Sequence, residues 1–179
     1  MRFCGWLVFL WPTLFGMACL HEGETPQDVL SSGALSLIDH AAWELVSEED
    51  DVFDDRNESA NCSTTGFGVE DGFFEVNTDV CQYATFRQGL LEPVHINETI
   101  RFVLWHSPLS SPEQATGHLA LSIDGDVLWE SNFPVPGPAV VYDDSFELVE
   151  AVEEGTPIYF HVHNHGNNSY RLGLIEKQE

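Results

Sequence analysis

Basic side chains are nearly missing from this chain of 179 residues: 6 Lys and Arg stand against 30 Asp and Glu, a formal net charge of −24 at pH 7. Binding a phosphate backbone requires clustered Lys and Arg, so nucleic acid is excluded as a partner, and an anionic membrane surface is disfavoured for the same reason. Methionine is confined to Met1 and Met17, which leaves no thioether for a copper site further along. A G-x-S-x-G elbow, an H-E-x-x-H pair, a phosphate loop and a dinucleotide glycine pattern are all missing too, so no catalytic residue is assigned. Past position 47 no window of eleven or more residues repeats with a 3.6 period, which argues against helices. Against these absences, 43% hydrophobic and 12% aromatic residues are enough for a core despite the charge. The length suits one domain.

The amino end has the form of a targeting segment. Arg2 precedes an apolar stretch from Phe3 to Phe15, shorter than the ~20 residues that span a bilayer, and a small-residue exit follows. This is the pattern of a secretory signal peptide over residues 1–18. Gly16-Met17-Ala18 fits ordinary cleavage after Ala18, and Phe15-Gly16-Met17-Ala18-Cys19 fits a lipoprotein cleavage box with Gly16 in place of the usual Leu. Cys4 leaves with the signal, so three cysteines remain in a compartment that favours disulfides. The economical arrangement is a Cys62–Cys81 disulfide with Cys19 capped by lipid; the alternative is a free or intermolecular Cys19. Leu20 after the cysteine suits passage to an outer membrane. Residues 19–40 are then a lipidated amino terminus and polar tether, and residues 41–179 the folded domain.

Within that domain, short apolar runs recur every 8–14 positions: 65–70, 72–78, 82–86, 90–96, 99–106, 117–123, 126–131, 139–149, 157–165 and 169–176. An earlier strand is expected around Trp43-Glu44-Leu45-Val46. Several runs alternate with period two, the mark of half-buried strands. Ile100, Phe102, Leu104 and His106 oppose Arg101, Val103 and Trp105; Leu119, Leu121 and Ile123 oppose His118, Ala120 and Ser122. Asp124-Gly125 between two apolar runs signals a tight hairpin. The expected fold is an all-β, antiparallel β-sandwich of jelly-roll type, a single domain with one disulfide.

Three features suggest chemistry. In Tyr159–Tyr170 an HxHxH pattern puts His161, His163 and His165 on one strand face, opposite Phe160 and Val162. Neighbouring imidazoles at i and i+2 lie about 6.6 Å apart along a strand, close enough for two to share a Zn²⁺ or Cu²⁺ ion through bonds of about 2.0–2.1 Å. The outer pair is about 13 Å apart, so a further ligand must come from a neighbouring strand, His106 or His118. Asn164 and Asn167 are expected to orient the rings by hydrogen bonds. The alternative is that these histidines are exposed or satisfy one another. The acidic run from Glu48 to Glu58, with Asp50, Asp51, Asp54 and Asp55, offers oxygen ligands for Ca²⁺ but lacks EF-hand spacing, and reads more simply as a solvated linker. Trp43, Trp105 and Trp129, with Tyr83, Tyr142 and Tyr170, are the types that stack on sugars, but they read more simply as the types that fill a β core. At most one of the Trp105 and Trp129 strands needs to present its indole to solvent.

Cys62, the Val76–Tyr83 segment, Trp105-His106, Gly117-His118-Leu119-Ala120, Val127-Leu128-Trp129-Glu130 and the His161–Ser169 stretch together resemble a group of secreted or lipid-anchored proteins of Gram-negative bacteria. The resemblance spans about residues 40–176 and implies a compact exported domain; that group has no established activity, so it implies no function. The residues themselves favour an exported, lipid-anchored binding protein with a metal ion as ligand. A carbohydrate- or envelope-binding module, a small metalloenzyme and a purely structural surface protein are the alternatives.

Overall fold

The computed structural model describes residues 33–56 and 61–178. The expected signal peptide, Cys19 and most of the expected tether lie outside the described residues. Eleven strands are described: β1 (Leu35–Ser36), β2 (Glu44–Leu45), β3 (Phe67–Glu70), β4 (Phe73–Asn77), β5 (Tyr83–Gly89), β6 (Thr99–His106), β7 (Ala115–Ile123), β8 (Asp126–Val135), β9 (Val140–Glu147), β10 (Pro157–His163) and β11 (Ser169–Gln178). Among the described residues the only helical element is one 3-10 turn at Glu48–Asp50.

The strands form two antiparallel sheets. Sheet one runs β3-β4-β11-β6-β9, with β1 also on β11; sheet two runs β2-β5-β10-β7-β8. From β4 onward the chain passes repeatedly between sheets, which gives a jelly-roll sandwich. Its register is set by burial. A strand presents alternate side chains to its two faces, and slipping by one residue would turn its whole apolar set outward. Ile100, Phe102, Leu104 and His106 of β6 are accordingly buried, with Arg101, Val103 and Trp105 on the other face. Phe74, Phe86 and Phe160 meet between the sheets, with ring centres 5.0 Å apart for Phe74–Phe86 and 6.3 Å for Phe74–Phe160. Trp43 closes over Phe74 and Phe160. Each such ring contributes about 1.5–3 kcal/mol by leaving water.

The Asp124-Gly125 hairpin is present, with φ of 52° and 88°, the positive pair that a two-residue turn requires. Two expectations are corrected. The run at 90–96 forms no strand, because Pro93 cannot donate to a ladder; Leu90 and Val94 are buried there all the same, and Val94 bridges Val152. The domain also begins before residue 41: β1 pairs Leu35 with Lys177, and Leu37 and Ile38 enter the core, so residues 35–40 are not tether.

Cys62 and Cys81 are joined, as expected, across a sequence separation of 19 residues, and the buried Cys81 tacks the β4–β5 connection onto the core. Replacing both cysteines by alanine releases a loop whose closure is worth about 3 kcal/mol. The expected result is a markedly lower urea midpoint with unchanged strand content by circular dichroism.

Candidate functional site

The outer face of sheet two is not bare. After β2 the chain turns back across it, beginning with Val46 N–H donating to Thr85 O at 2.8 Å. In the acidic run the extended backbone sends Asp51, Phe53 and Asp55 inward and leaves Val52 and Asp54 exposed. Phe53 stacks on His161 with ring centres 4.4 Å apart and planes at 26°. That cover makes His161 fully buried, although it stands on the face of β10 directed away from the core.

Beneath this cover a hydrogen-bonded cluster forms. His161 lies opposite Thr85 on β5, and His163 lies opposite His118 on β7. Asp51 accepts from the Tyr83 hydroxyl through Oδ2 at 2.9 Å and from the Thr85 hydroxyl through Oδ1 at 2.7 Å. Having given its one proton to Asp51, Thr85 Oγ1 accepts from His161 Nδ1 at 2.9 Å. Asp55 Oδ2 takes Nδ1 of His118 at 3.0 Å and Nδ1 of His163 at 2.9 Å. Asp55 Oδ1 lies 3.3 Å from His161 Nε2, and His118 Nε2 lies 3.4 Å from Glu130 Oε2. The Oδ1–Nε2 approach is not aligned as a hydrogen bond, and among the described residues both atoms lack a hydrogen-bond partner.

The electrostatics follow from this arrangement. Burial pushes His161 below the ordinary histidine value, against the pull of Asp55. His118 is raised, chiefly by its hydrogen bond to Asp55. For Asp55 itself burial opposes the charged form, but the contacts with His118, His161 and His163 outweigh it and hold the carboxyl far below the usual range. The cluster thus keeps one anionic carboxylate among three imidazoles.

Of the histidines singled out in the sequence, the structure brings together His161, His163 and His118 and adds Asp55. His165 sits beside His163, ring centres 5.1 Å apart, at the start of the turn after β10. His106 is elsewhere, between the sheets, stacked on Phe133 at 5.6 Å with Nδ1 donating to Ser107 O at 2.9 Å. The Asn164 side chain serves Tyr170, Thr78 and Gly166 rather than a histidine ring, and Asn167 lines a cleft at the same end of the sandwich. Asp50, Asp51, Asp54 and Asp55 do not converge, since Asp50 and Asp54 face solvent. Asp55 carried one legible signal, the alternation of Asp51, Phe53 and Asp55 inside the acidic run, which is that of a chain lying on a surface.

A second feature occupies the outer face of sheet one. Trp43 is in the core and Trp129 packs inward on Phe102 at 4.8 Å, which among the described residues leaves Trp105 as the tryptophan set on an outer face. Its indole lies over Gly173, where a Cβ atom would stand 2.5 Å from Cζ3, and meets the edge of Phe73 at 4.9 Å. Gly173 falls at the register shift of β11 against β6. Trp105 lines a cleft of about 450 Å³ whose polar groups include Asn77, Asp79, Asn167 and Arg171. The cleft wall is held by a buried network: Asn164 Nδ2 donates to Thr78 Oγ1 at 2.9 Å, Thr78 Oγ1 donates to Gly166 O at 2.7 Å, and Ser110 N–H donates to Asn168 Oδ1 at 2.7 Å.

No family model matches the chain, and no curated protein does. Among solved structures it is similar to a CBM4 carbohydrate-binding module (9% identity, 76% of this chain and 86% of that one, TM-score 0.45) and to the unliganded CBM1 of BiXyn10A (13%, 83% and 99%, TM-score 0.44). It is also similar to TmCBM61 in complex with β-1,4-galactotriose (9%, 81% and 99%, TM-score 0.38).

The placement of His106 has a measurable consequence. Burial lowers its affinity for a proton, against the hydrogen bond to Ser107. As pH falls below about 6.5 the unfolded chain takes up a proton there that the folded chain refuses. Stability from this group is therefore present above that pH and lost below it. His106→Phe, which keeps the stacking on Phe133, is expected to lose less thermal stability between pH 7.5 and 5 than wild type does; equal slopes would contradict it.

Proposed function

We propose that this chain is an exported carbohydrate-binding module whose binding surface is the Trp105 cleft on sheet one. The observation that carries the reading is Trp105 itself: a half-buried indole on an outer strand face, braced by Gly173 and Phe73, lining an open cleft with polar groups around it. Sugar rings offer apolar C–H faces and hydroxyl rims, and an aromatic platform with flanking amides and carboxylates matches both. The volume falls within the roughly 300–1,000 Å³ that small-ligand clefts occupy. A rigid wall, fixed by the Thr78–Asn164–Asn168 network, lowers the ordering cost of binding.

Charge narrows the ligand class. Arg171 is already engaged by Glu75, Asp79 stands nearby in the cleft, and the whole chain carries −24. A polyanionic glycan would be repelled, so the ligand is a neutral oligosaccharide. Export is supported by the signal-like amino end and by the Cys62–Cys81 disulfide, a bond that persists in oxidising compartments.

Intrinsic tryptophan fluorescence and calorimetry against a panel of neutral gluco-, xylo-, manno- and galacto-oligosaccharides test the reading. At least one is expected to bind wild type, and Trp105→Ala to weaken it by at least tenfold, about 1.4 kcal/mol. Gly173→Ala, which drives a methyl group into the indole, is expected to weaken it as well. Failure of the whole panel, or binding that survives Trp105→Ala, sinks the proposal.

A further inference from the structure

A different observation concerns the opposite face of the sandwich and stands independently of the glycan reading. His161 Nε2 and Asp55 Oδ1 are buried, unpartnered among the described residues, and 3.3 Å apart. The tautomer of His161 is set by its other nitrogen: Thr85 Oγ1 has donated to Asp51, so Nδ1 must carry the proton that bonds it. In its neutral form this fully buried ring turns the Nε2 lone pair toward a carboxylate oxygen. Two lone pairs held face to face repel unless a positive charge joins them. A carboxylate and an imidazole sharing one tetrahedral ion, with bonds of about 2.0–2.2 Å, stand about 3.3–3.4 Å apart.

We propose that Asp55, His118 and His161 form a site for a divalent transition metal of the zinc class, with His163 as the residue that positions the carboxylate. The three side chains each offer one ligand atom within 4.8 Å of the others. His118 Nδ1 lies 3.0 Å from Asp55 Oδ2, while its Nε2 faces Glu130 Oε2. Both rings therefore present one nitrogen to the carboxylate and have the other facing an acceptor, Thr85 for His161 and Glu130 for His118. This is how metal-binding imidazoles are oriented, through an acceptor on the far nitrogen. Two imidazoles and one carboxylate suit Zn²⁺ or Cu²⁺; Ca²⁺ wants six to eight oxygens, and of these three residues only Asp55 offers oxygen. Phe53 roofs the cluster on the side of His161, so the ion would tie the 46–56 segment to the sheet and act first on stability.

The test uses the full protein without a histidine tag, stripped with a chelator and titrated with Zn²⁺ by calorimetry at pH 7.5. One equivalent is expected to bind, and a melt in excess Zn²⁺ to shift upward by several degrees, because an ion that binds only the folded state stabilises it. Asp55→Asn and His161→Gln should weaken uptake by at least about a hundredfold and abolish the shift, and His163→Gln should weaken it by about tenfold. Circular dichroism checks folding; if Asp55→Asn does not fold, His118→Gln, on a ring that reaches solvent, decides. Folded wild type that takes up no Zn²⁺ overturns the proposal, and so does uptake that persists undiminished in the folded variants. Neither outcome touches Trp105, so failure here and failure of the glycan reading are distinguishable.

Discussion

Phe74, Phe86, Phe102 and Phe160 fill the space between the two sheets, and their burial fixes the phase of every strand that carries them. Because a strand alternates, a residue locked inward dictates that its neighbours face outward. Phe160 and Val162 in the core oblige His161 and His163 to share the far face of β10, and Phe102 and Leu104 oblige Trp105 to the far face of β6. The imidazole cluster and the indole cleft are both read out from the same hydrophobic register. A substitution that slipped β6 or β10 by one residue would remove a feature as well as destabilise the core.

The register alone does not make the histidine cluster, because a bare outer face would leave His161 in water. The cover comes from the chain's most acidic stretch, whose inward carboxylates are received by hydroxyls and imidazoles. A segment of like charge gains little from lying on an uncharged sheet. Here Asp51 has Tyr83, Thr85 and, at 3.8 Å, Arg56 as partners, and Asp55 has three histidines. Burying charge is costly unless it is paired and hydrogen-bonded, and that condition confines the segment to one resting place.

The sandwich was legible in the sequence because its signals are local: period-two alternation along β6 and β7, and the Asp-Gly turn between β7 and β8. The Cys62–Cys81 pair came from counting; the phase of β6 set Trp105 opposite its core residues, although core packing was the simpler expectation for that indole. The alternation of Asp51, Phe53 and Asp55 marks a chain lying on a surface but not which surface, since the contacts join Asp55 to His118 and His163 across 63 and 108 residues. His106 misled for a related reason. Its strand ends in a histidine of the core phase, packed between Phe133 and Tyr170, where an aromatic ring serves packing as readily as ligation.

Strand β9 forms an open edge of sheet one, and open edges invite pairing with another chain. Its exposed residues are Val141, Asp143, Ser145 and Glu147 on one face and Asp144 on the other. Arg101 neutralises Asp143 from the adjacent strand, but Asp144 and Glu147 are left to solvent. A second copy approaching edge to edge would bring the same carboxylates against them. The acidity of this strand therefore works against a second copy pairing edge to edge here.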